Sequence, residues 1–142
     1  MNIPRYLIVH HEAPPIPIET DRFDIVDQYH KSLGWGGIGY QYFIERNGVI
    51  KQGRQEDEIG AHTIGYNNSS IGVCLAGNMS LQNPTEIQTK SLVELLFRLT
   101  QKYKISAQNI RPHRYFATPG NIKIYETIDG RGCYKDCYGS RL

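Results

Sequence analysis

Two uninterrupted apolar runs constrain this chain more than any other feature. From Arg5 to His11, the sequence Tyr6-Leu7-Ile8-Val9 leads straight into a pair of histidines, and Ser70-Ile71-Gly72-Val73-Cys74-Leu75-Ala76 is apolar at nearly every position. A strand with one wet face alternates polar and apolar residues, whereas consecutive apolar β-formers read as an interior strand covered on both sides. The first run therefore delivers His10 and His11 at the carboxyl end of an interior strand, where functional sites of α/β folds gather. Cys74, inside the second run, reads as core.

The remainder alternates between helix and strand signals, which makes the chain α/β. Asp21 to Leu33 sets Phe23, Val26, Tyr29, His30 and Leu33 at helical spacing, with Gly34 to end the helix. Tyr40 to Arg46 reads as a strand, Asn47-Gly48 as a hairpin turn and Val49 to Gln52 as the return strand. Glu56 to Glu58 reads as a solvated acidic loop, and Gly60 to Ser70 as a polar loop with room for a binding surface. The strongest helix signal places Asn83 as cap, Pro84 in the first turn and Glu86 three residues after the cap. Leu92, Val93, Leu95, Leu96, Leu99 and Tyr103 would face inward along it. A short strand from Asn109 to His113 brings His113 toward the first histidine pair.

At 142 residues this is one domain by size, with 39% hydrophobic and 21% charged residues and a net charge of +2. Such a balance argues for neither nucleic acid nor membrane as a partner. The Met1 to Val9 stretch lacks the length and cleavage site of a secretory signal, and no segment is long enough to span a bilayer. Three cysteines, an odd number, argue against a disulfide framework and fit a reducing compartment.

His10, His11, His113, Cys133 and Cys137 are the donor types of a catalytic zinc site, which takes three protein ligands and keeps one position open. Each has a plainer role to weigh against that. One of two adjacent histidines is often structural, Cys133 and Cys137 could pair locally, a lone histidine such as His62 in a polar loop is usually surface, and any one of ten tyrosines is unremarkable. Closed structural zinc sites favour ligands in tight local pairs, which this spacing does not suit.

Three stretches carry a resemblance: Tyr6 to Ala13, Gly34-Trp35-Gly36-Gly37-Ile38-Gly39-Tyr40-Gln41-Tyr42-Phe43, and Gly60-Ala61-His62-Thr63-Ile64-Gly65-Tyr66-Asn67-Asn68-Ser69-Ser70-Ile71-Gly72-Val73. In order and content the chain from Tyr6 to Gly139 resembles the zinc N-acetylmuramoyl-L-alanine amidases, which include short phage amidases and animal peptidoglycan recognition proteins. The resemblance implies a single α/β domain over residues 1–142, a central mixed β-sheet flanked by helices, and a zinc site in a surface groove at one end of the sheet.

It further implies His10, His113 and Cys137 as zinc ligands, Tyr40 and Lys135 as catalytic residues, and His62 and Asn67 on the substrate groove. Strand alternation lets only one of His10 and His11 reach a metal, and the family pattern favours His10. Cys137-Tyr138-Gly139 stands where the family ends in Cys-Pro-Gly. The segment Tyr115 to Asp136 is longer than in short phage members, which keeps Cys133 and Asp129 in play as ligands; Lys135, two residues before Cys137, favours Cys137. The implied activity is hydrolysis of the bond between N-acetylmuramic acid and L-alanine by a monomer of phage endolysin type. Such an enzyme would wait in the cytoplasm until released to the cell wall. The alternative is a module of the same fold that binds muropeptide without cutting it.

Overall fold

The histidine-tipped strand is interior to a five-stranded sheet in the computed structural model, which describes residues 1–12 and 16–116. Strand β1 (Tyr6–His11) is followed by helix α1 (Phe23–Ser32), the hairpin β2 (Tyr42–Ile44) and β3 (Ile50–Gln52), and strand β4 (Ser70–Leu75). Helix α2 (Glu86–Tyr103), a 3-10 turn Ala107–Asn109, strand β5 (Ile110–Pro112) and a second 3-10 turn His113–Phe116 complete the described chain. The strand order is β3-β2-β4-β1-β5, with β1 parallel to both β4 and β5, β2 parallel to β4, and only the β2–β3 hairpin antiparallel. The expected mixed sheet of an α/β fold is thus present. Among the described residues no helix is long and apolar enough to cross a membrane.

The two apolar runs are interior for the expected reason: β4 is buried at all six positions, and β1 at every position after Tyr6. On one face Leu7, Val9, Ile44, Ile71, Val73 and Leu75 pack against Leu92, Leu95 and Leu99 of α2. On the other, Phe43, Cys74 and Ala76 meet Val26 of α1 together with Ile38 and Tyr40. Since successive strand residues point to opposite faces, His10 shares the α1 side with Ile8, and His11 the α2 side with Leu7 and Val9.

Several boundaries differ from the expectation. On α1 only Val26 and His30 are buried, while Tyr29 and Leu33 are exposed, so the inward stripe is narrower than helical spacing suggests. Its N-cap, Arg22, makes no side-chain cap; instead the Glu45 carboxylate at the end of β2 accepts from the Arg22 and Phe23 backbone N–H groups at 2.6 and 2.9 Å. A tertiary contact thus supplies what the local sequence lacks.

Helix α2 starts two residues later than Asn83 implies. Thr85 is the cap: its hydroxyl accepts from Gln88 N–H at 3.0 Å and donates to Arg46 O at 2.7 Å, and Gln88 Oε1 accepts from Thr85 N–H in return. Val93, expected inside, is 60% exposed. Thr85→Ala removes a cap and a link to the β2–β3 hairpin together, so it should cost about 1–2 kcal/mol of unfolding free energy in a denaturant titration. A change below a few tenths would deny the cap its role.

The acidic loop is not uniformly solvated. Glu56 is 9% exposed, and its carboxylate accepts from Tyr42 Oη, from Lys102 Nζ at 2.7 Å and from Tyr103 Oη at 2.6 Å. Burial pushes its pKa up, but the hydrogen bonds from Lys102, Tyr103 and Tyr42 outweigh that and hold it at about 2. The loop before His62 is thereby tied to α2.

Candidate active site

Strand register builds the histidine cluster. Leu7, Ile8 and Val9 of β1 pair with Ile110, Arg111 and Pro112 of β5, so one further step along both parallel strands sets His10 beside His113. Their ring centroids lie 4.3 Å apart, and the rings are 1% and 2% exposed. Tyr40 follows the α1-side loop with its ring 5.0 Å from that of His10, and is 5% exposed. It lies just before β2, outside the strand expected from Tyr40 onward.

His62 completes the cluster from the loop ahead of β4. Its Nδ1 lies 3.1 Å from His10 Nε2 and 2.9 Å from Thr63 Oγ1, and the two imidazoles stand nearly perpendicular with centroids 4.9 Å apart. The imidazole rests on glycine: a Cβ at Gly72 of β4 would stand 2.6–2.7 Å from three ring atoms, and one at Gly60 2.6 Å from Cδ2. The ring has no spare room on either side. Gly72→Ala should therefore displace His62 from His10 and destabilise the fold by about 1–3 kcal/mol, the usual cost of overpacking. A thermal melt reads the second effect, and an unchanged Tm would show that the pocket yields.

Asn67 acts within the same loop, where its Oδ1 accepts from the His62 and Thr63 N–H groups at 2.9 and 2.8 Å. The other histidine of the pair points away: His11 Nδ1 lies 2.8 Å from Glu12 O and 3.2 Å from Met79 N, on the α2 side. Cys133, Lys135 and Cys137, with Asp129 and most of the long segment after Tyr115, lie outside the described residues. Among the described residues no group of three or more His, Cys, Asp or Glu side chains is placed to hold a metal ion.

Burial keeps these imidazoles neutral. Desolvation first, and then the neighbouring His113 and His62, hold His10 well below the ordinary histidine range. Desolvation chiefly, with the charge of His113 and then of Arg54 adding to it, brings His62 to about 3; desolvation chiefly, with His11 adding, brings His113 to about 3. Neutral nitrogen is the ligating form. The sign for stability follows: from an unfolded value near 6.5 down to about 3, the unfolded chain takes up protons that the folded chain refuses. The Tm of chelator-treated protein should thus fall steadily from pH 7 to pH 4, and a flat profile would show the imidazoles to be solvated.

A cavity of about 480 Å³ is lined by Phe23, Trp35, Ile38, Arg54, Glu58 and Ile59, among others. Its cations are already engaged. Lys31 pairs with Asp27 at 2.8 Å, and the Arg54 guanidinium donates to the carbonyls of Ile38, Ile59 and Trp35 at 3.1, 2.7 and 3.3 Å. These bonds organise the loops around Tyr40 and offer little to a ligand.

Sequence reasoning brought His10, His113, Tyr40 and His62 to attention, and the fold collects all four. It did not find the partnership of His62 with His10, nor the hold of His30 on the chain before Tyr40. The small residues Gly60 and Gly72 flanking the loop were the one available signal for the first.

Comparison with known proteins gives a consistent picture. A family described as N-acetylmuramoyl-L-alanine amidase matches residues 1–128. The endolysin of Escherichia phage T7 is 42% identical over 84 residues, 56% of this chain and 56% of that one, so the match spans little more than half of the phage protein. The solved structure of the amidase LysC from Clostridium intestinale URNW superposes with a TM-score of 0.74 at 31% identity, covering 91% of this chain and 85% of that one. Wild-type PGRP-LB of Drosophila superposes with a TM-score of 0.77 at 26% identity, covering all of this chain and 78% of that one.

Proposed function

Because the chain belongs to the N-acetylmuramoyl-L-alanine amidase family, we propose that it is an endolysin-type zinc hydrolase cutting the amide between N-acetylmuramic acid and L-alanine in peptidoglycan. The observation that carries this reading is the pair of neutral, buried imidazoles of His10 and His113, set side by side by parallel register with Tyr40 beside them. Two such nitrogens suit zinc, and Cys137 is the proposed third ligand. Zinc bound there would supply Lewis acidity toward water and the scissile carbonyl.

The chain's own groups divide the remaining work. With Nε2 of His10 facing His62 Nδ1, a metal ion would be met through Nδ1, and a His10 Nε2–H donated to His62 would fix the ring's tautomer and orientation. Thr63 and the Asn67-pinned loop hold His62 in place. Tyr40 Oη orients the attacking water or the developing oxyanion, and the Lys135 ammonium adds a positive charge to that oxyanion. Hydrolysis joins the water oxygen to the lactyl carbonyl carbon and breaks the C–N bond. The nitrogen takes a proton and leaves as the free amino group of L-alanine, and Tyr40 Oη and Lys135 Nζ are the groups here with a proton to give.

The test is digestion of purified sacculi with zinc-replete protein, followed by mass analysis. The expected products are stem peptides that begin with a free L-alanine amine, together with intact glycan. Binding to muropeptide with no new amine would instead assign the chain to the non-cutting members of the fold, and cleavage at another bond would overturn the reading.

A further inference from the structure

Two α1 side chains reach the backbone immediately ahead of Tyr40. Asp27 Oδ1 accepts from Ile38 N–H at 2.8 Å, and His30 Nδ1 accepts from Gly39 N–H at 2.9 Å. They are three residues apart and so share one helix face. The same short segment is held from its other sides: Ala61 N–H donates to Gly39 O at 2.9 Å, Arg54 N–H to Tyr40 O at 3.0 Å, and Arg54 Nε to Ile38 O at 3.1 Å. The two backbones pass closely here: a Cβ on Gly39 would lie 2.2 Å from Ala61 O. His30 is 4% exposed, and its ring sits 4.7 Å from Trp35 and 5.7 Å from Tyr40.

We infer that Asp27 and His30 are positioning residues for Tyr40, fixing through the Ile38 and Gly39 amides where its hydroxyl stands relative to His10. The inference rests on the amidase reading above, since it assigns these residues a part in turnover. Both side chains grip main-chain amides, so their effect passes along the backbone. The direction in which a tyrosine leaves the main chain is set by the peptide planes on either side of it. A loosened Gly39 amide therefore moves the hydroxyl without unmaking the histidine cluster. Displacing a catalytic group by about 1 Å can cost on the order of a hundredfold in rate.

The experiment separates acceptor, charge and fold. His30→Leu and Asp27→Ala remove the acceptors, whereas His30→Asn and Asp27→Asn keep an oxygen near the same place, and Lys31→Ala removes only the ion pair to Asp27. The His30→Leu and Asp27→Ala proteins should lose about ten- to a hundredfold in kcat on muropeptide with KM and zinc content little changed. The two substitutions to Asn should recover most of that loss, and Lys31→Ala should turn over as the parent does.

In a Tyr40→Phe background, His30→Leu should cost almost nothing more, because its effect runs through the missing hydroxyl. Parent-like kcat in His30→Leu, or losses that multiply in the double variant, would overturn the inference. Amide hydrogen exchange gives an answer that needs no turnover: Ile38 and Gly39 should lose protection in Asp27→Ala and His30→Leu respectively. Should the parent release nothing from sacculi, the amidase reading fails. The hold on the segment is then decided by exchange alone, and unchanged protection would overturn it.

Discussion

His10→Ala and His113→Ala should each leave the purified protein without zinc and bring sacculus digestion down to the level of the chelated parent. The two rings stand 4.3 Å apart at the ends of adjacent parallel strands. Losing a ligand should exceed the roughly 10- to 100-fold that losing a ligand's outer hydrogen-bond partner costs, which is the expected size for His62→Ala. His11→Ala should keep its zinc, since that ring faces Met79 on the α2 side. Cys137→Ser should share the fate of the two histidines, and Cys133→Ser should not. Metal analysis beside a digestion assay reads all of these, and zinc lost from His11→Ala but kept by His10→Ala would move the ligand by one residue.

Tyr40→Phe and Lys135→Ala should retain zinc and still bind muropeptide, yet lose on the order of a hundredfold or more in turnover, as expected when one donor to a developing charge is removed. Phenylalanine fills the same buried volume in the cluster of Val26, Ile38, Phe43 and Cys74, so this change isolates the hydroxyl. Steady-state rates on a soluble muropeptide, with binding measured separately, distinguish chemistry from affinity. If Lys135→Ala cleaves at the parent rate, the tail is misaligned, and the preference for Cys137 over Cys133 falls with it.

What was legible in the sequence follows the range of the forces involved. Strands β1 and β4 announce themselves because a strand buried on both faces must be apolar at consecutive positions, and Asn47-Gly48 marks its hairpin because the turn needs that backbone; Gly48 has φ +85°. The interior of α2 is equally plain. Its start is not, since Asn83 and Thr85 are both good caps, and the choice falls to Thr85 through its bond to Arg46 in a distant hairpin. Glu56 reads as surface for the same reason: the partners of its carboxylate come from β2 and α2. In the site, alternation along β1 separates His10 from His11, but nothing local couples His62 to His10 or His30 to Gly39. Those contacts depend on how a loop and a helix lie against the sheet, and no sequence period encodes that.

The position of β1 between β4 and β5 also sets the order of events at the ribosome. Its first residues emerge early, yet Tyr6 waits for Ser70, and Val9 waits for Pro112. Closing such long chain segments is slow relative to forming helices and hairpins, so α1 and the β2–β3 pair can form while β1 still lacks both neighbours. An unpaired apolar strand of this kind is sticky, and its exposure ends only when distal sequence has been made. The histidine at its tip meets its counterpart at that same late moment. A truncated nascent product that ends before β5 therefore carries His10 without His113 beside it.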